Sequence, residues 1–297
     1  NYNTAVGYLA LFEDEQGSNS VAVGYGALQN QKLTTATDSH NTAVGYFAGG
    51  NLLTGLQNTF IGANAGDGTD DGAQNVAVGY LALSANNGDA NTSIGRASLQ
   101  QTTGSANTAL GQSSGGACTS GGNNLFLGQD AGLTGSPGGE ISTGSNTVVI
   151  GDENISAAHI QVSLTVASDQ RDKTDFTPLN VGLDFVKQLN PVTYKWDKRS
   201  NYGDKSAEDY DLNAQTPDGT HKEDWLDVGF KAQEVEALEK AAGYTIANKT
   251  NLTTTLSDDG KQYGMQYEKF VPILVKAIQE LSAKNDALEA RIATLEG

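Results

Sequence analysis

Apolar positions in the first half of the chain recur in one short phrase: an aliphatic residue directly before a glycine, with Asn or Ser usually four places before that glycine. It opens as Asn3-Thr4-Ala5-Val6-Gly7-Tyr8 and returns as Ser20-Val21-Ala22-Val23-Gly24-Tyr25, Asn41-Thr42-Ala43-Val44-Gly45-Tyr46, Asn58-Thr59-Phe60-Ile61-Gly62 and Asn75-Val76-Ala77-Val78-Gly79-Tyr80. Asn91-Thr92-Ser93-Ile94-Gly95, Asn107-Thr108-Ala109-Leu110-Gly111, Asn124-Leu125-Phe126-Leu127-Gly128 and the looser Asn146-Thr147-Val148-Val149-Ile150-Gly151 complete nine copies. The glycines are spaced by 17, 21, 17, 17, 16, 16, 17 and 23 residues. A period near 17 is too short for a helix pair and predicts one short strand plus turns per unit. The aliphatic residue before each glycine is expected to point inward. The glycine itself implies a neighbouring backbone too close for a Cβ, or a positive φ. Asparagine ladders can satisfy exposed turn amides. Ala10-Leu11, Ala27-Leu28, Ala82-Leu83 and Ser98-Leu99 supply a second small apolar step, and inserts such as Gln31 to Ser39 are expected to be surface loops. One such strand buries too little alone, so the units must stack, and three chains together would close the remaining edges. The expected N-terminal fold is an all-β, homotrimeric β-roll or β-helix.

The end of the chain follows a different period. Val271, Leu274, Ile278, Leu281, Asn285, Leu288, Ile292 and Leu295 alternate steps of three and four, the seam of a coiled coil that mates with copies of itself. A helix packed only on its own domain needs a wider stripe than these strict a and d positions. Asn285 occupies an a position, where a polar residue costs stability and sets register and strand number.

Composition divides the chain between these patterns. Up to Ala167 there are 2 basic and 12 acidic residues and 28 of the 36 glycines; both tryptophans and the other 16 basic residues lie beyond. Such a break is expected where a solenoid joins an ordinary globular segment, here at about Thr165 to Ser168. A hydrophobic content of 37% is low for one compact core of 297 residues. The net charge of −17 argues against nucleic acid and anionic membranes as partners. The single Cys118 excludes an internal disulfide framework. No run approaches the roughly 18 apolar residues of a membrane span, and the polar Asn1-Tyr2-Asn3-Thr4 start does not read as a signal peptide, so no membrane insertion is expected.

At the break stands Ser168-Asp169-Gln170-Arg171-Asp172-Lys173. A hydroxyl nucleophile five residues ahead of a lysine, at a domain boundary, suggests a chain that cuts itself. The Ser168 hydroxyl could attack the Ala167 carbonyl and convert amide to ester, and water would then release residues 1 to 167. Lys173 would be the general base, which requires burial or a neighbouring cation to depress its pKa well below about 10.4. Asp169, Asp172 and Asp175 would oppose that if close. Residues five apart share neither a helix face nor a strand face, so a turn or a lysine from a neighbouring chain is needed. The plain alternative is a helix start with Ser168 or Asp169 as N-cap and Lys173 solvated. Elsewhere, Asp67-Gly68-Thr69-Asp70-Asp71-Gly72 has calcium-loop composition without the terminal glutamate, and reads as a solvated turn. His40, His159 and His221 are isolated; no metal and no cofactor is expected. Tyr8, Tyr25, Tyr46 and Tyr80 follow the repeat glycine, where packing is favoured over stacking on sugars.

The Asn-Thr-Ala-Val-Gly-Tyr repeat, over roughly residues 1 to 151, resembles the head repeats of trimeric bacterial adhesins and phage tail fibres. The hexapeptide, then Leu189-Asn190-Pro191-Val192-Thr193-Tyr194-Lys195-Trp196, then Val228-Gly229-Phe230-Lys231-Ala232-Gln233-Glu234-Val235 and the heptad helix, resemble in order the endosialidase-type intramolecular chaperone. Asp172 and Lys231 stand where that family usually has apolar residues. The resemblance implies two domains. Residues 1–167 are a β-repeat fibre and receptor-binding domain. Residues 168–297 are an α+β, autoproteolytic chaperone whose coiled coil covers about 270–296. It further implies a homotrimer, cleavage between Ala167 and Ser168 by a Ser168–Lys173 dyad, and Asp169, Arg171, Gln233 and Glu234 as candidate supporting residues. The partner would be a host cell-surface polysaccharide or outer-membrane component, and the place of action the tip of a virion tail fibre. The alternatives are a cellular trimeric adhesin that keeps its C-terminal domain, and a polysaccharide depolymerase with paired carboxylates.

Overall fold

A computed structural model describes residues 2–205, 207 and 209–296; the expected domain ends Asn1 and Gly297, together with Ser206 and Glu208, lie outside the described residues. The chain forms two compact units. The first comprises Asn1–Ser156, Tyr202–Thr216 and Asp258–Lys261, and the second Ala157–Asn201, Pro217–Ser257 and Gln262–Gly297.

The repeat phrases of the first unit become strands of two or three residues. In chain order they are β1 (Thr4–Val6), β2 (Gly17–Ser18), β3 (Val21–Val23), β4 (Thr37–Asp38), β5 (Thr42–Val44), β6 (Thr59–Ile61), β7 (Val76–Val78), β8 (Thr92–Ile94), β9 (Thr108–Leu110), β10 (Leu125–Leu127) and β11 (Val148–Ile150). All except β2 and β4 stack as one nine-stranded parallel sheet in sequence order, each strand in register with the equivalent residues of the next. The first unit is therefore an all-β parallel solenoid, and its strand edges are paired turn to turn within one chain.

The inward position differs from the expectation. In the strands stacked after β1 the middle residue is the buried one: Ala22, Ala43, Phe60, Ala77, Ser93, Ala109, Phe126 and Val149 are at most 2% exposed, whereas all three residues of the terminal β1 are exposed. The aliphatic residue before the glycine faces outward, with Val6, Val44, Ile61, Ile94, Leu110, Leu127 and Ile150 between 37% and 62% exposed. A three-residue strand has a single place on one face and two on the other. The narrow interior takes the single, usually small, side chain.

Interior volume is shared between neighbouring positions. In the turns of Ala22, Ala77 and Ser93, Leu28, Leu83 and Leu99 fill the core from four residues after the glycine, at φ between 44° and 53°. Where the centre is Phe60, that place is Gly49 or Gly66, whose Cβ would stand 2.6 and 2.4 Å from the ring; Gly115 and Gly132 frame Phe126 in the same way. Each phenylalanine ring thus takes the space left by a glycine in its own turn and in the turn before it.

The asparagines form a buried ladder, whereas exposed turn amides were expected. Asn41, Asn58, Asn75, Asn91, Asn107 and Asn124 are at most 2% exposed. Each Oδ1 accepts the backbone N–H of the corresponding residue one turn on, at 2.8–3.1 Å. Each Nδ2 donates to a glycine carbonyl at 2.8–2.9 Å, from Gly55 to Gly144. A turn inside a stacked tube is shielded from water by the next turn, so its polar groups must be satisfied internally.

The Gln31–Ser39 insert is likewise more than a surface loop. β4 pairs with β2, and Gln31, Leu33 and Ser39 are buried. Ser20 stands in the asparagine place there. Its hydroxyl meets that of Ser39 at 2.5 Å, and Gln31 accepts from the Asn41 amide at 2.9 Å.

The second unit mixes helix and sheet. Helix α1 (Leu183–Val186) precedes β12 (Val192–Tyr194), which pairs antiparallel with β13 (Asp227–Gly229). Helix α2 (Ala232–Ala241), the antiparallel pair β14 (Thr254–Leu256) and β15 (Tyr263–Met265), and helix α3 (Phe270–Glu296) follow. The core is small: Val181, Phe185, Val235, Phe270 and Ile273. Glu239 of α2 is fully buried, and its carboxylate accepts bonds from the N–H groups of Leu252, Thr253 and Thr254 and from both threonine hydroxyls, at 2.6–3.2 Å. Burial pushes this carboxyl up, but the five donors outweigh it and hold the group below the usual carboxylate range. Glu280 of α3 accepts the Leu183 N–H at 2.8 Å and so ties α3 to α1. Only the first turns of α3 pack on the unit, through Phe270, Ile273 and Ala277.

Candidate functional site

The Ser168–Lys173 segment is organised by one short turn. Residues Gln170–Asp172 form a 3-10 turn with Asp169 as N-cap, its Oδ1 accepting the Arg171 N–H at 2.9 Å. The turn closes through the Asp172 and Lys173 N–H groups, which donate to the Asp169 and Gln170 carbonyls at 3.2 Å each. Lys173 then leaves in extended conformation, with φ −124° and ψ 150°. The reversal brings Lys173 Nζ to 2.5 Å from Ser168 Oγ and 3.2 Å from the Ser168 carbonyl. A five-residue spacing that suits neither a helix nor a strand is thus bridged within one chain. The capping alternative also holds, in a way that frees the serine: Asp169 caps the turn, and the Ser168 hydroxyl is left to the lysine.

Arg171 takes up the nearest carboxylate. Its Nε lies 3.1 and 3.2 Å from the two Asp169 oxygens and its Nη2 2.6 Å from Oδ2, a forked charge-assisted contact. The guanidinium first, and the Arg171 N–H second, hold the Asp169 carboxyl below its ordinary range. Among the described residues no carboxylate is hydrogen-bonded or ion-paired to Lys173. Asp169, Arg171, Asp172 and Lys173 are all exposed, as is the preceding chain.

Gln233 and Glu234 lie in the first turn of α2. Glu234 is held by Lys231 at 2.8 Å, with a further bond from the Asn190 side chain. Neither residue is hydrogen-bonded to Ser168 or Lys173. The helix seam is displayed rather than packed: Val271, Leu274, Ile278, Leu281, Leu288, Ile292 and Leu295 are 42–79% exposed, and Asn285 bonds Glu289 of its own helix at 2.8 Å.

Tyr8, Tyr25 and Tyr46 stack with ring centroids 5.5 Å apart, and Phe47 abuts the latter two. Each inner ring spends its faces on its neighbours and offers edges to solvent, which favours packing over sugar stacking. Asp67 is half-buried, and burial raises its carboxyl; the adjacent Asp70 raises that of Asp71. Among the described residues no three potential ligands gather as a metal site, and no helix is long and apolar enough to cross a membrane.

The repeat pattern does not mark the residues just before the hexapeptide. Ile160, Val162, Leu164 and Val166 are 59–78% exposed, in a stretch without helix or strand. Their signal in the sequence is alternation with Gln161, Ser163 and Thr165, the period of a strand.

Residues 168–244 match the family model described as chaperone of endosialidase, Peptidase_S74, a family of self-cleaving chaperone domains. The match begins at Ser168. No curated protein matches the chain, and no solved structure matches it. A parallel β-solenoid followed by this chaperone domain fits a tail-fibre protein with an endosialidase-type chaperone.

Proposed function

We propose that the chain is a phage tail-fibre component whose solenoid forms a homotrimeric host-binding tip, assembled by residues 168–297 and then released by self-cleavage between Ala167 and Ser168. The observation that carries this reading is the Lys173 Nζ–Ser168 Oγ distance of 2.5 Å at the first residue of the family match. In the step proposed, neutral Lys173 takes the Oγ proton as Oγ bonds to the Ala167 carbonyl carbon. The same proton passes to the Ser168 nitrogen as the peptide bond breaks, leaving an ester between Ala167 and Ser168 Oγ. Water hydrolyses that ester, giving the Ala167 carboxylate and restoring the serine hydroxyl. The segment is exposed in a single chain, and covering it by neighbouring copies would exclude water and tie cleavage to assembly.

Self-association is supported by the outward aliphatic ladder of the solenoid and by the exposed seam of α3. Val271, Ile278 and Ile292 at a positions with leucines at d favour two strands by themselves. Three copies follow from the likeness of residues 168–244 to the chaperone of endosialidase. The host partner would be a surface polysaccharide or outer-membrane component, and the released solenoid would stay on the virion. Intact mass and light scattering of the expressed chain beside Ser168→Ala test both claims. The expected result is a wild type split at Ala167–Ser168, an uncut variant, and a mass of three copies. A wild type that stays whole after folding would sink the cleavage, and a monomeric mass the assembly.

A further inference from the structure

Residues 157–167 make no hydrogen bond, backbone or side chain, among the described residues, although they contain four aliphatic side chains in strict alternation with polar ones. A stretch with both open backbone groups and one apolar edge asks for a strand beside it, not only for an apolar cover. We propose that Ile160–Val166 is an intermolecular strand that pairs with the same segment of another copy of this chain, with Ile160, Val162, Leu164 and Val166 on the shared face. This rests on the self-association proposed above and names a second contact for it.

Three observations point to a copy of the same chain as the partner. The chain carries a net charge of −17, yet residues 154–168 include no Asp, Glu, Lys or Arg. Identical copies can therefore lie side by side here without the like-charge opposition that an average segment of this chain would bring. The same unit contains the α3 seam, whose strict a and d spacing matches only another such seam, so copies are brought together at high effective concentration. The segment also ends at Ala167, so pairing it would hold the Ala167–Ser168 peptide at the mouth of an ordered strand and limit the attack to assembled chains. The structure of one chain leaves that peptide in a stretch without hydrogen bonds, which pairing would supply.

Cysteine pairs test the contact and hydrogen exchange tests the strand. In the full chain carrying Ser168→Ala, Leu164→Cys and Asn248→Cys, the latter at an exposed site outside the segment, are oxidised with copper-phenanthroline and their covalent dimers compared; native Cys118 is fully buried and stays out of the reaction. The expected result is several-fold more dimer from Leu164→Cys than from Asn248→Cys, together with slow exchange of amides within 161–166. If the mass shows an oligomer but the two cysteines cross-link alike, or all these amides exchange freely, the strand is overturned while the oligomer stands. A monomeric mass overturns both.

Discussion

The solenoid and the C-terminal unit solve the same problem of satisfying the backbone in opposite ways. In the solenoid each turn meets the polar needs of the next: strands pair in register, and asparagines bond both an amide and a carbonyl on adjacent turns. What it leaves unpaired is apolar and on the outside, the aliphatic ladder from Val6 to Ile150. The C-terminal unit has five buried apolar residues at its centre, a 27-residue helix mostly clear of them, and an eleven-residue stretch before Ser168 with no hydrogen bond among the described residues. Repetition supplies each turn with a partner of known shape from its own chain. A segment that occurs once must fold onto its own small core or find another molecule.

The largest expected effect breaks the turn-to-turn register. Gly79 has φ +136° and its Cβ would lie 2.6 Å from the Gly95 carbonyl oxygen, so backbone would have to move. Gly79→Ala should cost about 3 kcal/mol or more, read as a lowered denaturation midpoint of the β-rich transition in the full chain. A loss under about 1 kcal/mol would mean the turns are not locked together as described.

The next effect falls in the other unit. Glu239→Gln keeps the size but replaces an acceptor of five donors with an amide that must itself donate, and should cost about 2–3 kcal/mol in the C-terminal transition alone. Because the folded pKa of Glu239 is lowered, its contribution is fully present above the unfolded pKa of about 4.3 and is lost as pH falls through the folded value. Urea titrations from pH 7 into that acid window should show wild type converging on the variant; parallel curves would exclude the carboxylate as the cause.

The smallest effect concerns the outer surface of the solenoid. Tyr25→Ala removes the middle ring of the stack and should cost about 1 kcal/mol, with melting unchanged elsewhere. A much larger loss would show that the tyrosines support the turns and do not merely lie on them.

Repeat number, strand positions and the need for glycine were legible because one close backbone approach recurs at a constant place. The inward residue was not, since Val23 and Ala22 are both apolar and only the width of the tube decides between them. Volume exchange between Phe60 and Gly49 was hidden because it links residues of neighbouring turns. The C-terminal helix was legible from its heptad spacing, and the exposure of that stripe follows from the few buried residues, Phe270, Ile273 and Ala277, on another side of the helix. For Ser168 and Lys173 the residue types and their boundary position were visible, while the turn that joins them depended on which of two candidates capped it. Asp169 does so, and Arg171 engages the same carboxylate. The Glu239 clamp gave no signal, as its donors lie 13 to 15 residues away where an irregular loop enters β14.

The asparagine ladder has a consequence for how such a chain can change length. Every rung is identical and hands the same two bonds forward, so a duplicated or deleted turn meets neighbours that already fit it. The rungs at Ser20 and Asn41 also engage the insert between them, through Ser39 and Gln31. Whole-turn gains and losses therefore preserve the ladder, and what limits them is the interior, where Phe60 needs Gly49 in the turn before it.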